Sequence, residues 1–116
     1  MNEETVKTSM EIILYAGDAR TLVHKALKAI SENNLELAAA ELASAKEEIV
    51  KAHKVHTAMI QTEASGKEIE YSLLFTHAQD TLMTINSELT LAKELLKIFE
   101  SVDQRIAKLE KGQHSI

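Results

Sequence analysis

The pairing of His77 with Asp80 is the feature of this sequence whose residue types could carry out chemistry. The two residues lie three positions apart in LLFTHAQDTLMT, which also supplies hydroxyl groups on Thr76, Thr81 and Thr84. A neutral imidazole nitrogen is a good nucleophile near pH 7, and the phosphoramidate that it forms readily passes its phosphoryl group on. The stretch is therefore compatible with reversible phosphoryl transfer. Its spacing alone, however, favours a structural histidine whose hydrogen bonds are satisfied within an interface.

The other four histidines are weaker candidates for a functional site. His53 and His56 lie three residues apart on one predicted helix, but this metal-binding spacing lacks a third ligand nearby in the sequence. We interpret both as partly buried histidines of a helical bundle. His24 lies off the apolar stripe of its helix and is assigned to the surface. His114 falls in residues 111–116, which we predict to be a flexible tail.

Composition and missing motifs exclude several classes of function. The 116 residues suit a single domain, residues 1–116, and the formal net charge of -5 argues against binding to nucleic acid or anionic membranes. The absence of cysteine excludes disulfides, thiolate zinc sites and cysteine nucleophiles. Because no phosphate loop, dinucleotide fingerprint or nucleophile elbow is present, we expect no nucleotide or organic cofactor. Without a leader-like start or a membrane-length apolar run, the chain is predicted to be cytoplasmic.

Apolar residues recur at steps of three and four along three segments, which predicts an all-α fold. The chain has no proline and only three glycines, so intrinsic propensity favours helix nearly throughout. The polar stretch SENN, residues 31–34, separates the first two segments, and the second ends near Gly66. The third runs from Lys67 to about Glu110. Short connections make sequential helices antiparallel, so the expected architecture is an up-down-up three-helix bundle.

The third segment carries two stripes of mainly apolar residues, although one stripe is enough to pack a helix on one core. The first stripe comprises Leu74, Ala78, Leu82, Ile85, Leu89, Ala92, Leu96 and Phe99. The second stripe, rotated by roughly a third of a turn, comprises Leu73, His77, Asp80, Thr84, Leu91, Leu95, Ile98 and Val102. A helix needs a stripe of only about 100° to dock on one core. We therefore predict self-association through the second stripe, with coiled-coil-like packing of the third helices; a helix from another protein is the less common solution.

Four motifs together match a known family in order and spacing. They are AGDAR at 16–20, AH at 52–53, IQTEASG at 60–66 and SLLFTHAQDTLMT at 72–84. Over about Ser9 to Ala107 the chain resembles the enzyme IIA component of the lactose/cellobiose class of the bacterial phosphoenolpyruvate-dependent sugar phosphotransferase system. This class includes proteins for N,N'-diacetylchitobiose.

The resemblance implies a homotrimer of three-helix subunits that acts as a phosphocarrier of sugar uptake. It implies that His77 accepts a phosphoryl group from phospho-HPr on its tele nitrogen, Nε2, and passes it to a cysteine of the cognate IIB component. It also implies a structural metal ion at the trimer axis, held by Asp80 of each subunit, with Gln79 as a supporting contact. Because oxygen ligands favour a hard ion, we expect Mg²⁺ there, and we expect the hydroxyl of Thr81 to support the site by donating a hydrogen bond. Thr81 departs from the family pattern HAQDH, so a hydroxyl stands where many members have a second histidine.

Two other functions stay open at this point. A histidine phosphotransfer domain of two-component signalling is also helical with an exposed histidine, but its motif resembles HxxKG, whereas this chain has HAQDT. A non-catalytic helical oligomerisation module would need only the apolar periodicity, and His77 would then be incidental. The transported sugar also stays open among lactose, cellobiose, chitobiose and related β-glucosides, because a phosphocarrier contacts only its protein partners.

Overall fold

Three helices make up the computed structural model, which describes residues 3–68 and 71–114. They are α1, Glu3–Ser31; α2, Leu35–Ala64; and α3, Leu73–His114. No strand occurs within the described ranges, so the prediction of an all-α, three-helix fold is confirmed. None of the helices, over the residues described, has both the length and the apolar composition needed to cross a lipid bilayer.

The directions of the helices follow from two contacts between α3 and the α1 side of the bundle. Arg20 Nη2 donates to Glu88 Oε2 at 3.0 Å, and Asn33 Nδ2 donates to Asp103 Oδ1 at 3.3 Å. Because the residue numbers increase together in the two pairs, α1 and α3 run parallel. The short connection after α1 turns α2 back in the opposite direction, which agrees with the predicted up-down-up order.

Residues suited to turns separate the helices. Asn33 has a positive φ of 57°, a left-handed conformation that asparagine tolerates better than most residues. Asn34 caps α2, because its side-chain oxygen accepts a hydrogen bond from the backbone N–H of Leu37 at 3.3 Å. Gly66, with a φ of 94°, follows the end of α2. The predicted breaks at SENN and at Gly66 are therefore confirmed.

α3 begins and ends later than the sequence pattern predicted. The predicted start at Lys67 is wrong, because Ser72 caps a helix that starts at Leu73: its Oγ accepts from the backbone N–H of Phe75 at 3.1 Å. At the other end α3 continues to His114, so the predicted tail is helical over its first residues. The remaining tail residues, 115 and 116, lie outside the described residues.

The two stripes of α3 have opposite environments. The first is buried against α1 and α2 from Ala78 to Leu96, and only its last member, Phe99, is largely exposed. The core is rich in alanine, which lets the helices approach closely; its largest fully buried apolar side chains are Ile12, Val23, Ile49, Leu82, Ile85 and Leu89. On the second stripe, Leu91 is 62% exposed and Ile98 is 55% exposed. A single chain therefore leaves most of the second stripe uncovered, although Leu95 and Val102 are half-buried.

Candidate functional site

His77 lies on the second turn of α3, on the exposed side of the bundle. The turn before it is held by Ser72, which is only 6% exposed. The hydroxyl of Ser72 caps the helix, and its carbonyl oxygen accepts a hydrogen bond from Thr76 Oγ1 at 3.1 Å. This cap sets where α3 starts, and therefore fixes the direction in which His77 faces.

The imidazole of His77 is open to solvent and to an approaching protein. The side chain is exposed, and among the described residues it has neither a hydrogen bond nor an ion pair. No local contact therefore has to break before a partner can reach the ring nitrogens. Such an imidazole can receive a group from one protein and give it to another, which a buried imidazole cannot do without rearrangement.

Asp80, Thr81 and Thr84 share the exposed side of α3 with His77. Asp80 and Thr81 lie about one turn further along the helix, and Thr84 lies about two turns further. Gln79, in contrast, lies about 200° around the helix from His77, and residues two apart on a helix do not face each other. The fold thus brings Asp80 and Thr81 close to His77 but directs Gln79 away from it within one chain.

The N-terminus of α3 favours negative charge beside His77. Helical side chains generally lean toward the N-terminus, which brings a second-turn residue such as His77 nearer to the first turn of α3. The backbone N–H groups of Leu73 and Leu74, in that turn, have no intrahelical carbonyl to bond. With the helix dipole, they favour negative charge near this end of α3. The position therefore suits a phosphoryl group.

Asp80 can contribute to a metal site only together with other copies of the chain. Among the residues whose side chains are described, no three His, Cys, Asp or Glu side chains cluster closely enough to hold a metal ion. The Asp80 side chain is exposed, lies on the second stripe and has no partner in the described part of the chain. Three copies around an axis would bring three carboxylates together, and an all-oxygen donor set suits Mg²⁺. The residues present therefore fit such an ion.

His56 makes a contact that the sequence analysis missed. Its ring stacks on Phe75 of α3, with the ring centroids 6.0 Å apart and 18° between the ring planes. His53 and His56 are both half-buried, as predicted, and His56 Nε2 is buried without a hydrogen-bond partner among the described residues. Burial, and secondly the charge of His53, lower the pKa of His56. The stack links α2 to the first turn of α3, two residues before His77.

The lowered pKa of His56 predicts that the fold loses stability in acid. The pKa of His56 in the folded state lies below its ordinary value of 6.5. The stability that the folded chain gains from a neutral His56 is therefore fully present above about pH 6.5. As the pH falls below about 6.5, the unfolded chain binds the proton more readily than the folded chain, and the free energy of unfolding decreases. His56→Phe keeps an aromatic stack but cannot titrate, so its unfolding should depend less on pH. Urea unfolding at about pH 7.5 and about pH 5.5 measures this difference.

A matched variant separates this effect from the titration of other histidines. His24→Gln removes an exposed imidazole of α1 and should retain the pH dependence of the wild-type protein. Equal pH dependence in the wild-type and His56→Phe proteins would contradict the assignment to His56.

Comparison with known proteins finds matches that span all three helices and include His77. A family model described as "PTS system, Lactose/Cellobiose specific IIA subunit" matches residues 7–100. The lichenan-specific phosphotransferase enzyme IIA component of Bacillus subtilis is 36% identical over 105 residues, which cover 90% of this chain and 96% of that protein. The crystal structure of PtcA from S. mutans matches with a TM-score of 0.82 and 40% identity, covering 86% of this chain and 99% of that one. IIA(Chitobiose) of Escherichia coli, solved in complex with HPr, matches with a TM-score of 0.75 and 30% identity, covering 88% and 99%.

Proposed function

The chain belongs to the lactose/cellobiose-specific IIA family of the phosphotransferase system, and from this membership we propose that His77 is its phosphoryl carrier. As a IIA component, the chain takes part in sugar uptake by transferring phosphoryl groups. The observation that carries the proposal is the exposed, unpartnered imidazole of His77 within the matched region. We place the carrier in the cytoplasm, which agrees with a chain that contains no cysteine to form disulfides.

The first step of the proposed mechanism moves the phosphoryl group from HPr to His77. The lone pair of His77 Nε2 attacks the phosphorus, the new N–P bond forms, and the N–P bond to the histidine of HPr breaks. The proton on His77 Nδ1 is released, and the imidazole of HPr takes up a proton as it leaves. The positive end of α3 then stabilises the phosphoryl oxygens. A relative solved in complex with HPr supports HPr as the donor.

The second step passes the group to a cysteine of the IIB component. The thiolate sulfur attacks the phosphorus, an S–P bond forms, and the N–P bond to His77 breaks. The imidazole of His77 regains its proton and returns to the neutral state. Because one side chain carries the group in both steps, HPr and IIB must use overlapping surfaces around His77, one after the other.

The proposal includes a homotrimer in which the second stripes of three α3 helices pack like a coiled coil around an axis. Its support is the exposure of Leu91 and Ile98 on a stripe that α1 and α2 leave largely uncovered. In such a trimer Gln79, which faces away from His77 of its own chain, would support the site of a neighbour. The hydroxyl of Thr81 would donate a hydrogen bond to a phosphoryl oxygen.

A structural Mg²⁺ ion, held by three Asp80 side chains on the axis, completes the proposed assembly. The ion would neutralise three carboxylates that otherwise repel one another. We expect the purified trimer to contain Mg²⁺, chelator to shift it toward smaller species, and Asp80→Asn to lose the metal. Elemental analysis with sedimentation velocity measures both properties. A trimer with neither bound metal nor an axial Asp80 cluster would contradict the proposal, whereas the stability of Asp80→Asn alone decides nothing, because the substitution also removes the repulsion.

The phosphoryl relay is tested with purified proteins and labelled phosphoenolpyruvate. With the first enzyme of the system and HPr present, the chain should acquire acid-labile label, and it should lose this label to an added IIB component. Without HPr it should acquire none. A histidine phosphotransfer domain or an oligomerisation module would stay unlabelled in the complete mixture, so the absence of label would reject the proposed function.

A further inference from the structure

A cavity of about 480 Å³ lies at the end of the bundle that carries His77. Its walls come from the start of α1, the last turns of α2 and residues 67 and 68 of the connection to α3. α1 and α3 begin at this end of the bundle, and α2 finishes there because it runs in the opposite direction. A cavity of this volume is large enough to hold a small organic molecule. The proposed phosphoryl relay does not use it.

The walls of the cavity offer hydroxyl groups that the described chain does not fully use. Thr5 is only 4% exposed, and its hydroxyl has no hydrogen-bond partner among the described residues. Buried hydroxyls in proteins are usually hydrogen-bonded, and an unmade bond destabilises the fold. Thr8 and Thr62 add two further hydroxyls. Thr62 donates to the carbonyl oxygen of Ala58 at 2.9 Å, so its own oxygen stays available to accept a hydrogen bond.

Charged side chains of both signs also line the cavity. Lys54 and Lys67 supply two ammonium groups, and neither has an ion pair among the described residues. Glu4 and Glu68 supply two carboxylates. Ammonium groups donate hydrogen bonds and bind phosphate as point charges, whereas ionised carboxylates only accept hydrogen bonds. The walls therefore suit a ligand that has both an anionic group and hydroxyl groups able to donate.

One wall of the cavity is apolar and narrows the choice of ligand. It consists of Val55, Ala58 and Met59 of α2, which can pack against the C–H groups of a sugar ring. Inorganic phosphate would leave this wall uncovered, and an acyl chain would leave the hydroxyls and charges of the other walls without partners. Among the lining residues that the structure describes, none is aromatic, so a nucleobase would find no ring on which to stack.

We propose that this cavity binds a phosphorylated sugar of hexose size. The phosphate group lies against Lys54 and Lys67, a sugar hydroxyl bonds to the hydroxyl of Thr5, and the C–H face of the ring packs on Met59. The chain belongs to a system that transfers phosphoryl groups during sugar uptake, so phosphorylated sugars are products of that system. Binding does not require His77 to be the carrier, so this inference and the proposed relay can fail separately.

Isothermal titration calorimetry of the full-length protein tests the choice of ligand. The probes are glucose 6-phosphate and galactose 6-phosphate, and we expect saturable binding of at least one of them. Glucose and inorganic phosphate, titrated separately, should each bind at least about tenfold more weakly, because each lacks part of the matching groups. Equal affinity for inorganic phosphate would show a plain anion site and overturn the inference, as would the absence of saturable binding by both sugar phosphates.

Substitutions in the walls test where the sugar phosphate binds. The variant with Lys54→Met and Lys67→Met loses both ammonium groups from exposed positions and should bind at least about tenfold more weakly. Thr5→Val keeps the shape of the side chain without its hydroxyl and should bind about fivefold more weakly. The matched control Lys7→Met removes an exposed lysine of α1 that does not line the cavity, and His77→Ala removes the imidazole of the relay. Both controls should bind like the wild-type protein. Unchanged binding in either wall variant, or lost binding in either control, would overturn the assignment to this cavity.

Discussion

His77→Ala protein is expected to accept no phosphoryl group from phospho-HPr. The methyl group that replaces the imidazole has no lone pair to attack phosphorus. The His56 ring, which stacks on Phe75 in the first turn of α3, has its Nε2 buried and cannot take over without rearrangement. The fold should be nearly unaffected, because the His77 side chain is exposed and has no partner among the described residues. A change within about 0.5 kcal/mol in the free energy of unfolding is typical of such surface substitutions. Acid-labile label and circular dichroism measure the two outcomes.

The half-buried histidines of α2 supply the controls for this experiment. His53→Ala and His56→Ala should still accept label, because neither imidazole is needed for the attack on phosphorus. A loss of label in either variant together with a normal level in His77→Ala protein would assign the carrier to α2 instead. Wild-type levels of acid-labile phosphate on His77→Ala protein would by themselves show that the carrier is a different residue.

Leu91→Glu is expected to abolish the trimer while leaving the three-helix subunit folded. Leu91 is 62% exposed in the single chain, so the bundle does not depend on it. At the proposed axis, however, three carboxylates would meet where three leucine side chains had packed. An uncompensated buried charge costs about 3–5 kcal/mol, enough to dissociate an assembly at micromolar concentration. Sedimentation velocity should show a monomer, and circular dichroism should show unchanged helix content.

Leu14→Glu is the matched control for the interface. Leu14 is 61% exposed, nearly the same as Leu91, but it lies on α1 and outside the second stripe. This variant should remain a trimer. If Leu91→Glu protein sedimented like the wild type, the second stripe would not be the interface, and the axial position proposed for Asp80 would fail with it.

In the proposed trimer, the two halves of the second stripe have different functions. After Leu73, the first half is polar and carries His77, Asp80 and Thr84, whereas the second half is apolar from Leu91 onward. In the proposed trimer, assembly and chemistry on the same helix would hold three carriers at fixed positions around an axis. The Leu91→Glu variant should therefore keep a reactive His77, and any loss of phosphoryl transfer in it would measure what neighbouring subunits contribute to the site.

The sequence by itself determined the helical fold and singled out His77 as the candidate phosphoryl carrier. Apolar spacing and the lack of proline are local properties of the chain, so they predicted three helices, the breaks at SENN and Gly66, and the two stripes of α3. The first stripe is buried from Ala78 to Leu96, as predicted, although its last member, Phe99, is largely exposed. The second stripe is uncovered over most of its length, and helix periodicity is what aligns the members of each stripe. His77 was identified on similar local grounds, because it is an ionisable residue in a segment that otherwise reads as an apolar helix.

Only the tertiary structure decided where α3 starts and what surrounds its first turn. Residues 67–72 carry no proline, and their sequence is as compatible with helix as that of residues 73–84, but the Ser72 cap and the packing of that turn place the start at Leu73. The stack of His56 on Phe75 joins segments nineteen residues apart, and no local pattern specifies which two rings will meet. Helix periodicity arises within each segment and could be predicted from spacing. Which of several possible start residues α3 uses, and which rings meet, also depends on how separate segments pack, so these features could not be predicted.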